Sequence, residues 1–320
     1  MRPLVLVLVG PTATGKSKLI LKLAKKFLME IVSADSMQIY KGLDIGTAKP
    51  TKEERRRVKH HLIDIIPTSR NFSVYLFRKK ALEAIRKIVD RGRTPVLVGG
   101  SGLYVRALLN GLTQYPRALH GLRARLEKDL KRHGVKELFK RLKKLDPARS
   151  RELDSTNPRR VIRALEIALS KKKKTGAITE LPSLSTLGYE VKVFGLAIER
   201  QQLYKQVEKR IDLMFRKGWI EEARRLFKKR LSRTVRQAIG YRQIWNSPLM
   251  HSKKISLREK REAFALLSDA VKLTTRHLVK KQCTWYRREP WIEWLDVTTS
   301  EGCKNAQSRL IRELESAYAN

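Results

Sequence analysis

At 320 residues with 42% hydrophobic content, the chain can bury a substantial core in two or three domains, which excludes a disordered polypeptide. Its net charge of +40 points to a polyanionic partner, nucleic acid before anionic membrane or acidic protein, with a generally Lys/Arg-rich proteome as the bland alternative. No apolar run reaches the roughly 18 residues that span a bilayer, and two cysteines, Cys283 and Cys303, exclude a disulfide framework and fit a reducing cytosol.

Met1 to Val9 has one arginine and a short apolar stretch, but it runs into Gly10-Pro11-Thr12 without a small-residue cleavage site. It reads as a buried strand, Leu4 to Val9, and not as a signal peptide. Gly10-Pro11-Thr12-Ala13-Thr14-Gly15-Lys16-Ser17 then matches G-x-x-x-x-G-K-[ST] between that strand and a helix from Lys16 to Leu28. In such a loop backbone N–H groups wrap a di- or triphosphate and the helix N-terminus adds its dipole. Lys16 would reach the outer phosphate, and the Ser17 hydroxyl is placed for a phosphate-bound Mg²⁺. The motif specifies a ligand class, not a reaction.

Glu30 to Ser33 is a second strand, followed by Asp35 in Ser33-Ala34-Asp35-Ser36. At the carboxyl end of a parallel strand, Asp35 faces the ligand crevice, where it can bind metal through water or act as a general base; a helix cap is the structural alternative. Leu62 to Ile66 is expected as a third strand and Ser73 to Val89 as a helix, before the strand Pro95 to Val98. An ATP-hydrolysing P-loop enzyme usually ends such a strand with a metal-holding Asp. Here it ends in Gly99-Gly100-Ser101-Gly102, which is either a second phosphate-approaching turn with the Ser101 hydroxyl or a simple sharp turn.

After Gly111 the pattern changes to charged amphipathic helices without obvious strands, and positive charge is densest between residues 113 and 174. Leu119, Leu122, Leu126 and Leu130 line one helix; Leu138, Phe139, Leu142 and Leu145 line the next. Asn157-Pro158 caps a helix to about Leu169, with Arg159 and Arg163 four apart, ending in a basic loop over 171–176. Tyr189 to Ile198 returns to a strand, and long helical stretches follow near 201–230 and 256–282. The expected fold is α/β: a P-loop NTPase-like parallel sheet core (residues 1–112), a helical, basic insertion (113–185), and a return strand with helical C-terminal part (186–320).

These motifs together are recognisable. The P-loop, Ser33 to Tyr40, Asp44-Ile45-Gly46-Thr47-Ala48-Lys49-Pro50, His60 to Asp64, Val98 to Tyr104, Asn157 to Glu166, Arg236 to Gln243 and Lys281 to Arg287 stand in one family's order over about residues 4–295. The chain resembles the tRNA dimethylallyltransferases, also called isopentenyl-tRNA transferases.

The resemblance implies transfer of dimethylallyl from dimethylallyl diphosphate to N6 of the tRNA adenosine 3′-adjacent to the anticodon, so the P-loop holds a departing diphosphate. It implies Asp35 as general base, Thr12 to Ser17 on diphosphate with Mg²⁺ at Ser17, Ser101 in place of a family threonine, and Arg236 as a diphosphate-clamping arginine. It implies tRNA contacts along Asp35, Ser36, Met37 and Gln38, and along Arg159, Arg160, Val161, Ile162 and Arg163 with Arg123. Further contacts are implied along Arg236, Gln237, Ala238, Ile239, Gly240, Tyr241 and Arg242, and along Lys280, Lys281, Gln282, Cys283, Thr284, Trp285, Tyr286 and Arg287. Trp285 has the alternative reading of a core ring with solvated neighbours. The partners implied are the tRNA anticodon arm and dimethylallyl diphosphate, with no membrane, for a cytoplasmic monomer.

Three rivals stand beside this reading. An adenylate isopentenyltransferase acting on free nucleotides shares the P-loop and the Asp35 segment; the helical insertion and basic C-terminal segments favour tRNA over it. A P-loop small-molecule kinase would transfer phosphate from ATP. A basic RNA-binding protein with a vestigial nucleotide fold would lose nothing with Asp35.

Overall fold

The computed structural model describes residues 2–115, 120–172, 178–251 and 256–319. The chain forms two compact units, Met1–Asn110 with Ser183–Asn320, and Gly111–Pro182.

The larger unit begins with β1 (Leu4–Val9), α1 (Lys16–Leu23), β2 (Met29–Ser33), α2 (Lys52–Arg57), β3 (His60–His61), α3 (Val74–Val89), β4 (Thr94–Gly99) and α4 (Gly102–Leu109). The smaller unit holds β5 (Leu112–Gln114), α5 (Leu122–Leu145), α6 (Pro147–Arg151), α7 (Pro158–Lys172) and β6 (Thr179–Leu181). The larger unit resumes with β7 (Glu190–Ala197), α8 (Arg200–Arg216), α9 (Trp219–Phe227), α10 (Arg233–Arg236), α11 (Tyr241–Trp245) and α12 (Pro248–His251). It ends with α13 (Leu257–Tyr286), β8 (Glu293–Asp296) and α14 (Ser300–Ala319). Helices begin where the side chains allow: Ser73 caps α3 through the Leu76 N–H, and Thr51 with Glu54 and Ser256 with Glu259 form capping boxes on α2 and α13.

Six strands pair in the order β3-β2-β4-β1-β7-β8, every pairing parallel. With β1 in the interior all six of its residues are buried, as a sheet covered on both faces requires. Val5, Val7 and Val9 pack with Phe77, Ile85 and Val105 of α3 and α4, while Leu4, Leu6 and Leu8 pack with Ile20 and Leu23 of α1 and Leu310 of α14. A third core joins Ile39, Tyr40 and Leu43 to α8, α9, α11 and α13. In the smaller unit Leu122, Leu126, Leu138, Leu142, Val161 and Leu165 form a separate core.

The structure departs from the sequence reading in five places, the first being α1, which ends at Leu23 and not at the expected Leu28. Only His60–His61 pairs with β2; Leu62 and Asp64 adopt left-handed φ of 63 and 57, which ends the strand before the expected Leu62 to Ile66. The smaller unit contains a short antiparallel ribbon, β5 with β6, where no strand was expected. α7 continues to Lys172; the rest of the expected basic loop, 173–176, and residues 116–119 lie outside the described residues. The edge strand β8, too short and charged to show a hydrophobic run, was not foreseen. The two α5 segments expected from the leucine pattern do separate, at Gly134 with φ of 73. Among the described residues no helix is long and apolar enough to cross a membrane.

Leu184 N–H donates to Leu108 C=O at 3.0 Å, so the chain leaves and re-enters the larger unit at adjacent points. The buried Trp219 indole lies between Gly46 and Gly240, and a Cβ at either would fall inside the ring. Gly240→Ala, which adds this overlap to a φ of 82, is expected to destabilise the fold by about 2 kcal/mol or more. Gly92→Ala, at φ 63 but with open space around it, should cost about 1 kcal/mol. Thermal unfolding of both variants measures the difference.

Candidate active site

The carboxyl ends of β1, β2 and β4 lie in register at one edge of the sheet, with Val9 opposite Gly99 and Ser33 opposite Val98. Gly99 has no side chain because Ala34 C=O occupies the space a Cβ would take. That carbonyl also accepts from Ser101 N–H at 3.2 Å. The P-loop after β1, the Asp35 segment after β2 and the glycine turn after β4 thus converge on a cavity of about 640 Å³. Thr12, Ala13, Gly15, Lys16 and Ser17 line it from the P-loop, Asp35 and Gln38 from the second segment, Gly99 and Gly100 from the third.

Lys16 folds back onto its own loop, its Nζ donating to Gly10 C=O at 2.9 Å, Pro11 C=O at 2.6 Å and Thr14 Oγ1 at 3.3 Å. Burial first, and then the nearby Arg210 guanidinium, bring its ammonium down to about 7 against the opposing pull of Asp35. Arg210, from α8, lines the same cavity and donates to Thr47 C=O at 3.4 Å. Burial lowers its pKa too, while Asp35 raises it. With Lys18, Lys22, Lys25 and Arg57 also on its wall, against Asp35 and Glu54, the cavity carries an excess of positive charge suited to an anion.

Asp35 Oδ1 accepts from Met37 N–H at 2.7 Å and Gln38 N–H at 3.2 Å, so the carboxylate does cap the turn that follows it. Oδ2 has no hydrogen bond among the described residues and is open to a ligand. The Gln38 amide is fixed at both ends: Oε1 accepts from Ser33 Oγ at 3.3 Å, and Nε2 donates to Thr47 C=O at 3.1 Å and Ala48 C=O at 3.4 Å. Ser101, next to Gly100 but not itself among the residues lining the cavity, accepts at Oγ from Ser36 N–H at 3.1 Å, which leaves its hydroxyl proton to donate.

Other expected site residues are placed differently. Arg236 is exposed, donates to Leu231 C=O at 3.4 Å and is not among the residues lining the cavity. The second cation beside Lys16 is Arg210, which no motif in the sequence singled out. Gln282 turns inward: its Oε1 accepts from Thr12 N–H at 3.0 Å and its Nε2 donates to Gly100 C=O at 2.9 Å, bracing the P-loop against the glycine turn. Val161, Ile162, Ala238, Tyr241 and Tyr286 are buried core side chains, and Cys283 and Trp285 pack partly buried against those cores. Arg159, Arg160, Arg163, Gln237, Arg242, Lys280, Lys281, Thr284 and Arg287 are exposed. In the smaller unit Arg123 and Arg163 share the buried Glu166, at 3.3 and 3.1 Å.

Among the described residues no three His, Cys, Asp or Glu side chains group into a metal cage. The Ser17 hydroxyl and Asp35 carboxylate are hard oxygen donors on the same cavity. That sparse oxygen set fits Mg²⁺, which keeps most of its coordination for phosphate and water.

A sequence profile described as IPP transferase matches residues 38–289. A tRNA dimethylallyltransferase of Symbiobacterium thermophilum is 41% identical over 97% of this chain and 94% of its own. One from Protochlamydia amoebophila is 39% identical over 92% and 84%. The crystal structure of a full-length tRNA isopentenylpyrophosphate transferase from Bacillus halodurans superposes with TM-score 0.67 at 36% identity, covering 100% of this chain and 99% of that one. A eukaryotic dimethylallyltransferase acting on tRNA shares the fold, with TM-score 0.74 at 24% identity over 97% and 78% of the two chains. By sequence profile, relatives and fold, this chain belongs to the IPP transferase family.

Proposed function

We propose that the protein transfers the dimethylallyl group of dimethylallyl diphosphate to N6 of the adenosine 3′-adjacent to the anticodon of tRNA, releasing diphosphate. The observation that carries this reading is Asp35, with one carboxylate oxygen unengaged, on the same cavity as the phosphate loop. The curated relatives that act on tRNA support it.

In the reaction, N6 forms a bond to the allyl carbon as the carbon–oxygen bond to diphosphate breaks, and the electron pair leaves with diphosphate. The proton lost from N6 goes to Asp35, since a neutral exocyclic amine is a weak nucleophile that a positioned base assists. The P-loop amides, Lys16 and Arg210 neutralise the charge that develops on the leaving group, and the Ser101 hydroxyl donates to it. Ser17 would hold Mg²⁺, which supplies further positive charge against the diphosphate oxygens. The acceptor base must leave its stack to reach the cavity, and an anticodon loop makes that extrusion cheap. Exposed Arg159, Arg160, Lys280, Lys281 and Arg287 suit the RNA phosphates. This excess of exposed cations also favours tRNA over a free adenine nucleotide as the acceptor.

The direct test incubates unmodified tRNA or AMP with dimethylallyl diphosphate in ATP-free buffer. The expected result is a dimethylallyl mass gain on the anticodon-loop adenosine; label entering AMP alone, or nothing without ATP, overturns the proposal. Asp35→Asn should lower kcat by about 10²–10⁴-fold with tRNA affinity retained. Arg210→Ala should cost about 10²-fold in kcat, and Arg236→Ala far less, read in the same assay. Because free Lys16 titrates near 7 and a bound anion raises that value, diphosphate affinity is full below about 7 and declines above it. Calorimetry at about pH 8 in buffers of different ionisation enthalpy should therefore register uptake of a fraction approaching one proton on binding.

A further inference from the structure

Glu222, on α9, is 4% exposed and does not line the cavity. Its carboxylate accepts from three consecutive backbone amides: Asp44 N–H at 3.1 Å, Ile45 N–H at 2.8 and 3.1 Å, and Gly46 N–H at 3.2 Å. The Tyr241 hydroxyl donates to it at 2.6 Å. No Lys, Arg or His lies within ion-pair distance of it among the described residues. A buried carboxylate without a cation is held only by such donors, and successive amides pointing one way form an anion nest turned inward on the protein's own side chain.

The turn this carboxylate grips ends in the two carbonyls that orient cavity side chains. Thr47 C=O takes Arg210 and Gln38, and Ala48 C=O takes Gln38. Ala48 sits at φ of 45, a left-handed conformation that a non-glycine residue keeps only when its surroundings hold it. Lys49, bonded to Tyr40 C=O at 2.8 Å, Asp44 at 2.7 Å and Asp64 at 2.6 Å, secures the far side of the turn.

We infer that Glu222 is a positioning residue for the transfer reaction: through the amides of residues 44–46 it aims the Thr47 and Ala48 carbonyls, and through them Arg210 and Gln38. It touches neither substrate. The inference rests on the reading that Arg210 and Gln38 face the reacting groups.

Glu222→Gln keeps the size but sets an amide N–H₂ against backbone donors, so the turn should slip. Misplacement by about 1 Å costs on the order of 10²-fold in rate, so kcat should fall about 10- to 100-fold while tRNA affinity stays within about threefold. The decisive readout is a mutant cycle against a background that lacks both relayed side chains, Arg210→Ala with Gln38→Ala. If Glu222 acts through Arg210 and Gln38, Glu222→Gln slows that background enzyme by no more than about threefold. A wild-type rate in Glu222→Gln alone, or losses that multiply in the combined variant, overturns the inference. Glu222→Asp, which keeps the charge at shorter reach, is carried through the same cycle and decides the matter should the Gln variant misfold. The wild-type enzyme is assayed alongside. Its failure to prenylate tRNA would sink the proposed reaction, whereas an active wild type beside an equally active Glu222 variant would sink only this inference.

Discussion

The close approach of β4 to Ala34 is the constraint on which the site depends. Three parallel strands can deliver their following loops to one point only if their carboxyl ends lie side by side, and at Gly99 the Ala34 carbonyl leaves no room for any side chain. With that contact made, the P-loop, the Asp35 segment and the Gly99-Gly100 turn follow directly from adjacent strand ends. A ligand crevice at the carboxyl edge of an open parallel sheet follows from the topology. Its chemistry follows from the three side chains placed there, Lys16, Asp35 and Arg210.

The cavity is charged for a ligand before any ligand arrives. The Arg210 guanidinium lies close enough to lower the pKa of Lys16, and Lys16 satisfies itself on three oxygens of its own loop. Thr12 N–H, one of the amides such a loop turns toward phosphate, is taken by Gln282. Binding an anion is therefore an exchange of partners, internal oxygens for phosphate oxygens. That exchange relieves the repulsion between two poorly solvated cations.

Much of this was legible in the sequence because the strands that matter are continuous apolar runs and the loops after them carry glycine, lysine and acid at fixed offsets. The P-loop, the placement of Asp35 and the helical middle segment needed no tertiary information. Arg210 was not legible: it stands in an amphipathic helix among many cations, and only the packing of α8 turns it to the cavity. Arg236, conspicuous in its motif, is spent on the surface, and that motif's Tyr241 serves Glu222 instead. Gln282 and Tyr286 likewise belong to the part of α13 that braces the core, while Lys281 and Arg287 one position away are exposed. Residue type reveals that a segment matters; the helical phase that separates gripping from bracing is set by burial. β8 escaped notice since four residues with two acids carry no period of their own.

The hydrogen bond from Leu184 to Leu108 brings together the two points of the larger unit between which the chain of the smaller unit is inserted. The larger unit sees the whole of Gly111–Pro182 as one excursion whose ends are already fastened. The entropy of closing such an excursion grows only with the logarithm of its length. The helices within can lengthen, shorten or change their charge with little consequence for the sheet. Change within that stretch and change in the sheet can thus proceed separately on one gene.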